Sequence, residues 1–291
     1  MILRGGVPMS WVRTGRIAAL MFCFLICVAC GDVYRPTIIP NPVPTPDPKN
    51  FHAVLSVNQN GSTNRGSGMQ VDVSGDSTAG ITSVDRMPVH AALLGARVWV
   101  ANSLADSVSV FSEAAGTSIP IGTSININLA PGAAPVFVHS TESNTMYVAN
   151  SGNATVSVIN TINNVVTDNI PVSDSLGLGN PVAMAETPNG KTLYVVNQDA
   201  NSVTSVNTVD KTIANTICLT TPPQYSNAVP PPQCVAAVSP RWAVARSDSA
   251  RIYVLGHDDG LLRTIDSTFG SPTANQVLSS VAVGAGASYL Y

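Results

Sequence analysis

The 291 residues suffice for one large domain or two small ones, and a hydrophobic content of 45% can fill a real core. Charged residues are only 11%, against the roughly 25% usual in soluble domains; Ser, Thr, Asn, 22 Gly and 21 Pro take their place. That composition suits many short strands and turns. A formal charge of −3 without a basic cluster disfavours a phosphate-backbone partner, so no nucleic acid is expected.

Residues 1–29 read as an export signal, to be set aside from the fold. Arg4, Arg13 and Arg16 precede an apolar run, Ile17 to Ala29, that is shorter than the roughly 20 residues of a spanning helix. Val28-Ala29-Cys30-Gly31 resembles a bacterial lipoprotein signal, which implies lipidation of Cys30 and a membrane partner through an N-terminal lipid anchor. The other reading is ordinary cleavage after Ala29, with Cys30 a plain thiol. Residues 30–50 form a proline-rich tether: Pro40, Pro42, Pro44, Pro46 and Pro48 recur at every second place and hold the chain extended. The address expected is the cell envelope, at the outer membrane or its periplasmic face.

From residue 51 to 291 the chain repeats itself. Arg97-Val-Trp-Val-Ala-Asn102, Thr145-Met-Tyr-Val-Ala-Asn150, Thr192-Leu-Tyr-Val-Val-Asn197 and Arg251-Ile-Tyr-Val-Leu-Gly256 share one pattern, and Leu55-Ser-Val-Asn58 is a fainter copy. Each full copy is followed by turn-forming residues and a second alternating run, as a β-hairpin requires. A proline- or alanine-led apolar segment precedes each hairpin (88–93, 135–140, 181–186, 234–239), and a further strand candidate follows (165–172, 212–219). With anchors near 58, 102, 150, 197 and 256, the arithmetic is four short strands per unit of about 45 residues. The expected fold is an all-β propeller of four-stranded antiparallel blades.

Tyr147-Val-Ala-Asn150 and Tyr194-Val-Val-Asn197, each with its hairpin, resemble the YVTN-type β-propeller repeats of bacterial surface and periplasmic proteins. The resemblance covers 85–270 well and 51–84 loosely. It implies that the proline-led segments are the innermost strands lining a channel, and that Trp99, Tyr147, Tyr194 and Tyr253 wedge between blades. About five units are visible. Either a five-bladed ring completed by the C-terminal strand, or an open arc of a longer ring, accommodates them.

Cys218 and Cys234 flank a proline-rich insertion and are expected to form a disulfide. His90, His139 and Glu186 lie on the proline-led segments and are the candidates for a channel site, as metal ligands or as acid and base. The plainer reading makes the histidines isolated polar side chains at strand ends and Glu186 a solvated turn carboxylate. No spacing such as His-x-His supports a metal, and no nucleophile elbow, phosphate loop or haem motif occurs, so neither metal nor cofactor is expected. Asp258-Asp259-Gly260 reads as a hairpin turn rather than a calcium loop. Two functions of different class follow. One is a non-catalytic envelope-anchored module that binds a protein or polysaccharide; the other is a propeller hydrolase of lactonase-like type using His90, His139 and Glu186.

Overall fold

The computed structural model describes residues 53–72, 77–113, 121–140, 144–220 and 222–290. The leader, Cys30 and the proline tether lie outside them. The described residues form twenty strands in five antiparallel sheets.

Blade 1 holds β1 (Ala53–Asn58), β2 (Arg65–Asp72) and β3 (Ser77–Arg86). Blade 2 runs β4 (Pro88–Leu94), β5 (Arg97–Asn102), β6 (Ser107–Ser112) and β7 (Ile125–Asn128) from its inner to its outer edge. Blade 3 repeats this with β8 (Pro135–His139), β9 (Thr145–Asn150), β10 (Thr155–Asn160) and β11 (Val165–Pro171). Blade 4 comprises β12 (Pro181–Glu186), β13 (Thr192–Asn197), β14 (Ser202–Asn207), β15 (Ile213–Cys218) and a fifth strand, β16 (Gln224–Ser226). Blade 5 is β17 (Pro240–Ala245), β18 (Arg251–Gly256), β19 (Leu261–Asp266) and β20 (Val277–Ala282). The four-strand rule therefore holds for blades 2, 3 and 5. Blade 1 shows three described strands. Blade 4 gains β16 because the insertion after Cys218 turns back and pairs with β15, Cys218 opposite Gln224.

The second strands of blades 2 to 4 explain why these sequences fold as stacked sheets. In β5, β9 and β13 every residue after the first is buried, so both faces are covered. Outer strands such as β20 are mostly exposed. Side chains from neighbouring blades meet in shared cores: Val98, Val100 and Phe111 with Leu55 and Val57 of blade 1, then Trp99 with Met146 and Val148, then Tyr147 with Met184 and Val195. Gly68 lets blade 1 approach blade 2 closely, since a Cβ there would stand 2.6 Å from Phe111 Cζ. The inner strands adjoin in chain order, β4 to β8 to β12 to β17.

At three of the four wedge positions, in blades 2, 3 and 4, the blade is also latched to the next; Tyr253 of blade 5 is only half-buried. Trp99 carries the Arg97 guanidinium over its ring, and Arg97 donates to Thr161 O and Asn164 Oδ1, both at 2.6 Å. Tyr147 Oη accepts from Lys211 Nζ at 3.0 Å, and Tyr194 Oη donates to Asn275 Oδ1 at 2.7 Å. Asn164, Lys211 and Asn275 all have left-handed φ, of 58°, 62° and 64°. Each sits at a matching turn of the following blade. Burial pushes the Tyr147 and Tyr194 hydroxyls above the usual phenol range.

Cys218 and Cys234 are joined by a disulfide, with Cα atoms 5.2 Å apart. Across a separation of 16 residues, loop closure stabilises the insertion by about 3 kcal/mol in the chain-entropy model.

Candidate functional site

Each inner strand begins the same way. A residue with left-handed φ (Met87, Ala134, Asn180, Ser239) precedes the leading proline, and its carbonyl accepts an amide from the turn after the anchor strand. The ladder then slips by one residue, between Pro88 and His90, Pro135 and Phe137, Pro181 and Ala183, and Pro240 and Trp242. Such a bulge re-aims the residue that follows it. His90, Phe137, Ala183 and Trp242 therefore stand at one level on four successive inner strands.

The rings at this level touch. His90 stacks on Phe137 with centroids 3.9 Å apart. Phe137 meets Trp242 edge-on at 5.5 Å, although a whole blade separates them. The side chain between them is Ala183, small enough to let the two rings meet across it. Tyr289 leans on Trp242 at 5.1 Å. Phe137 is buried, His90 and Trp242 are half-buried, and Tyr289 is 67% exposed, so the cluster has a closed side and an open side.

Both histidines bridge blades, and by the same rule. His90 Nδ1 accepts the amide of Val138, one place further along the next inner strand, at 3.3 Å. His139 Nε2 accepts the amide of Glu186, again one place further along, at 3.2 Å. An acceptor nitrogen carries no proton, which assigns the proton to Nε2 of His90 and to Nδ1 of His139. Burial, with the neighbouring His139 charge added, lowers the His90 pKa to about 4; burial alone lowers that of His139 to about 4. Both are neutral imidazoles with fixed tautomers at neutral pH, each able to donate one N–H.

Glu186 joins this chain through its backbone. Its carboxylate is buried at 4% exposure, so it is not a solvated turn group. It lies beneath the next turn, where a Cβ on Gly190 would be 4.0 Å from Oε1, and within electrostatic reach of Tyr147 and Lys211. The three candidates are thus linked along β4, β8 and β12, two by their rings and the third by its amide.

Among the described residues no group of three or more His, Cys, Asp or Glu side chains gathers to hold a metal. Two cavities lie elsewhere, at the seams between blades. One of about 180 Å³ is lined by Lys191, Tyr194, Phe269 and Asn275; one of about 350 Å³ is lined by Asp168, Lys211, Ile213 and Val229. Asp259 and Gly260 form the β18–β19 turn, where Gly260 has φ 64° and the Asp259 carboxylate faces Arg263 at 2.5 Å. Phe137, Trp242 and Tyr289 were not among the sequence candidates. For Phe137 the signal was available, since it holds the third place of the 135–140 segment; for Trp242 it was not, because the fourth inner strand is β17, Pro240–Ala245, and the segment expected at 234–239 lies before it.

No family model matches the chain, and no curated protein matches it in sequence. Solved structures do share its architecture. The periplasmic gluconolactonase of Pseudomonas aeruginosa has a TM-score of 0.61 at 16% identity, over 82% of this chain and 69% of that one. Virginiamycin B lyase of Staphylococcus aureus has a TM-score of 0.52 at 12% identity, over 80% of this chain and 60% of that one. A putative 6-phosphogluconolactonase of Bacteroides fragilis NCTC 9343 has a TM-score of 0.52 at 15% identity, over 79% and 67%. The fold is therefore a β-propeller. This chain spans about three-fifths of the length of the lyase, and at these identities the likeness carries the fold alone.

Proposed function

We propose that the protein is a propeller hydrolase of lactonase-like type, acting on a small cyclic ester at the inner strands. The observation that carries this reading is the pair of neutral imidazoles, His90 and His139, whose tautomers are fixed by backbone amides. An N–H held in place and kept uncharged by burial is suited to donating to a carbonyl oxygen as negative charge develops there. Water then adds to the carbonyl carbon, the ring C–O bond breaks, and the released alkoxide takes the proton given up by the water. Lactones already hydrolyse slowly in water, so electrophilic assistance alone is a sufficient catalytic role. Gluconolactonase and putative 6-phosphogluconolactonase among the similar structures support the same chemistry. The test is acid release from glucono-δ-lactone by the full chain. His90→Ala is expected to lower the rate on the order of 10²-fold while the thermal transition stays cooperative. A wild-type rate no faster than spontaneous hydrolysis overturns the reading.

A second reading is a non-catalytic module that binds a protein or polysaccharide. It is favoured by the placement of Glu186, whose carboxylate is buried by the Gly190 turn. In either case we place the protein at the cell envelope, as a YVTN-type propeller held by a lipid on Cys30 and a tether over 30–50, with residues 1–29 removed. Palmitate labelling in a bacterial host tests this, and a Cys30→Ala chain is expected to be released from membranes.

A further inference from the structure

We infer that the protein associates with itself head to tail, the free face of blade 5 in one copy stacking on the free face of blade 1 in a second copy. The inference is independent of what the inner strands bind. It rests on the rule that joins blades within one chain, and on the two faces that this rule leaves open.

Each blade has a forward and a backward face, because successive side chains of a strand point to opposite sides. At the seams a forward face meets a backward one. Leu55 and Val57 of blade 1 pack with Val98, Val100 and Phe111 of blade 2, and Trp99 of blade 2 packs with Met146 and Val148 of blade 3. Ile252, Val254 and Ile265 form the backward face of blade 5 and are buried in the cluster it shares with blade 4. Among the described residues these clusters run from blade 1 to blade 5, and none holds residues of both end blades.

The forward face of blade 5 therefore lacks such a neighbour. Register fixes its members: Val244 stands opposite Tyr253, Tyr253 opposite Thr264, and Leu262 opposite Val281. Tyr253 holds the wedge position, yet it is half-buried where Trp99, Tyr147 and Tyr194 are at most 1% exposed. Val281 is 59% exposed. Arg251 stands where Arg97 stands in blade 2, but it pairs with Asp266 of its own blade at 2.8 Å instead of reaching a following one.

The backward face of blade 1 is open in the same way. Strand β2 turns Gly68 toward Phe111 of blade 2, so Met69 and Val71 face the other side. Ile81 stands opposite Met69, and Val54 opposite Val71. Ile81 is 63% exposed.

The seams inside the chain specify what covers each face. There a wedge aromatic is covered by methionine and β-branched side chains of the next blade, as Trp99 is by Met146 and Val148. Met69, Val71, Ile81 and Val54 make a surface of that kind. A second copy thus offers each free face the one it lacks. Such a contact is heterologous: two copies close on each other if the rotation allows, and longer assemblies grow if it does not.

Sedimentation velocity of the full chain over a concentration series tests this. The expected result is a reversible rise in mass from one chain to two or more. Val281→Lys and Ile81→Lys, at exposed positions that the fold tolerates, each bring an unpaired charge into the seam and are expected to weaken association at least about tenfold. Their circular dichroism is expected to match the parent. The decisive measurement mixes the two variants. Each keeps the face that the other has lost, so an equimolar mixture is expected to recover a one-to-one complex and nothing larger. A parent chain that stays monomeric at every concentration overturns the inference, as does association that persists in both lysine variants. Association blocked by only one of the two variants, or a mixture that forms no complex, overturns it as well, since the contact would not join blade 5 to blade 1.

Discussion

Blades 2 to 4 and blade 5 solve one problem in two ways. In the middle blades the buried anchor asparagine pins its own hairpin. Asn102 donates to Ser107 and Ser109, Asn150 to Thr155 and Ser157, and Asn197 to Ser202 and Thr204, at 2.7 to 3.3 Å. Ser109 and Ser157 donate onward to Asn126 and Asn169 of the outer strands, and Thr204 meets Thr216. In blade 5 the anchor is Gly256, and seven residues on, where the others have Ser or Thr, stands Arg263. Its guanidinium is 3% exposed and donates to Asp259 Oδ2 at 2.5 Å and to Leu219 O of blade 4 at 3.1 Å. The space that glycine leaves is filled: a Cβ on Gly256 would stand 2.9 Å from Val238 Cγ1 and 3.0 Å from Arg263 Nη1, and would collide with Asp259 Oδ1. The lesson is that glycine and arginine form one exchange. The asparagine lock is local to its blade, whereas the arginine lock reaches into the neighbouring blade.

The largest expected effect comes from breaking the arginine lock. Arg263→Ala leaves Leu219 O and the Asp259 carboxylate without their partner and opens a void, at a cost of about 3 kcal/mol in urea unfolding. Gly256→Asn alone also destabilises, because the new side chain enters occupied space. The triple change Gly256→Asn, Asp259→Ala, Arg263→Ser clears the space held by Asp259 and Arg263 and installs one of the two middle-blade bonds, since Leu261 stands where the others have Ser or Thr, and is expected to recover part of the loss of the single changes. That non-additivity is the signature of coupled sites. Additive losses across the three changes would show that the exchange is not a unit.

A smaller effect is expected in the middle blades. Asn197→Ala removes two donated bonds from a fully buried position and leaves the Ser202 and Thr204 hydroxyls to find other partners. The loss is about 2 kcal/mol, again read by urea unfolding. Because this lock is local, hydrogen exchange is expected to rise along β13 and β14 with little change in blade 5. Arg263→Ala is expected to loosen blades 4 and 5 together.

Much of this architecture was legible in the sequence, for a physical reason. A hairpin buried on both faces writes its strands as short β-branched runs, and the repeat distance of Asn102, Asn150 and Asn197 writes the blade. Docking between blades leaves no such trace. The bridge from His139 to the Glu186 amide joins residues 47 apart, and their geometry is set by how two sheets pack. Glu186 lies on the expected strand, but its burial under the Gly190 turn is set by the packing of β12 and had no sequence signal. The aromatic level was half legible. Phe137 stood on an expected segment, whereas Trp242 lies on β17, which begins at Pro240 and not in the segment expected at 234–239, and their contact depends on Ala183 being small between them. Tyr289 lies outside any strand and had no periodic signal.

The imidazole bridges divide the molecule along the same line. His90 ties blade 2 to blade 3 and His139 ties blade 3 to blade 4, while Trp242, an apolar ring, holds the corresponding level in blade 5. Both histidines are lowered to about 4 in the folded protein, against about 6.5 in the unfolded chain. Between those values the unfolded chain binds more protons, so stability falls as pH falls. The neutral bridges contribute fully above pH 6.5, and their contribution is lost progressively as the pH drops toward about 4. The limiting slope is about 1.4 kcal/mol per pH unit for each histidine, reached only where the unfolded form is protonated and the folded form is not. Urea unfolding at pH 7 and pH 5 measures it. His139→Gln keeps a side-chain acceptor for the Glu186 amide without a titrating ring, and is expected to remove about half of the acid sensitivity. Hydrogen exchange at pH 5 is expected to rise first at β8 and β12 and last at β18 and β19. Equal acid loosening of all five blades would mean that the histidines do not carry the seams.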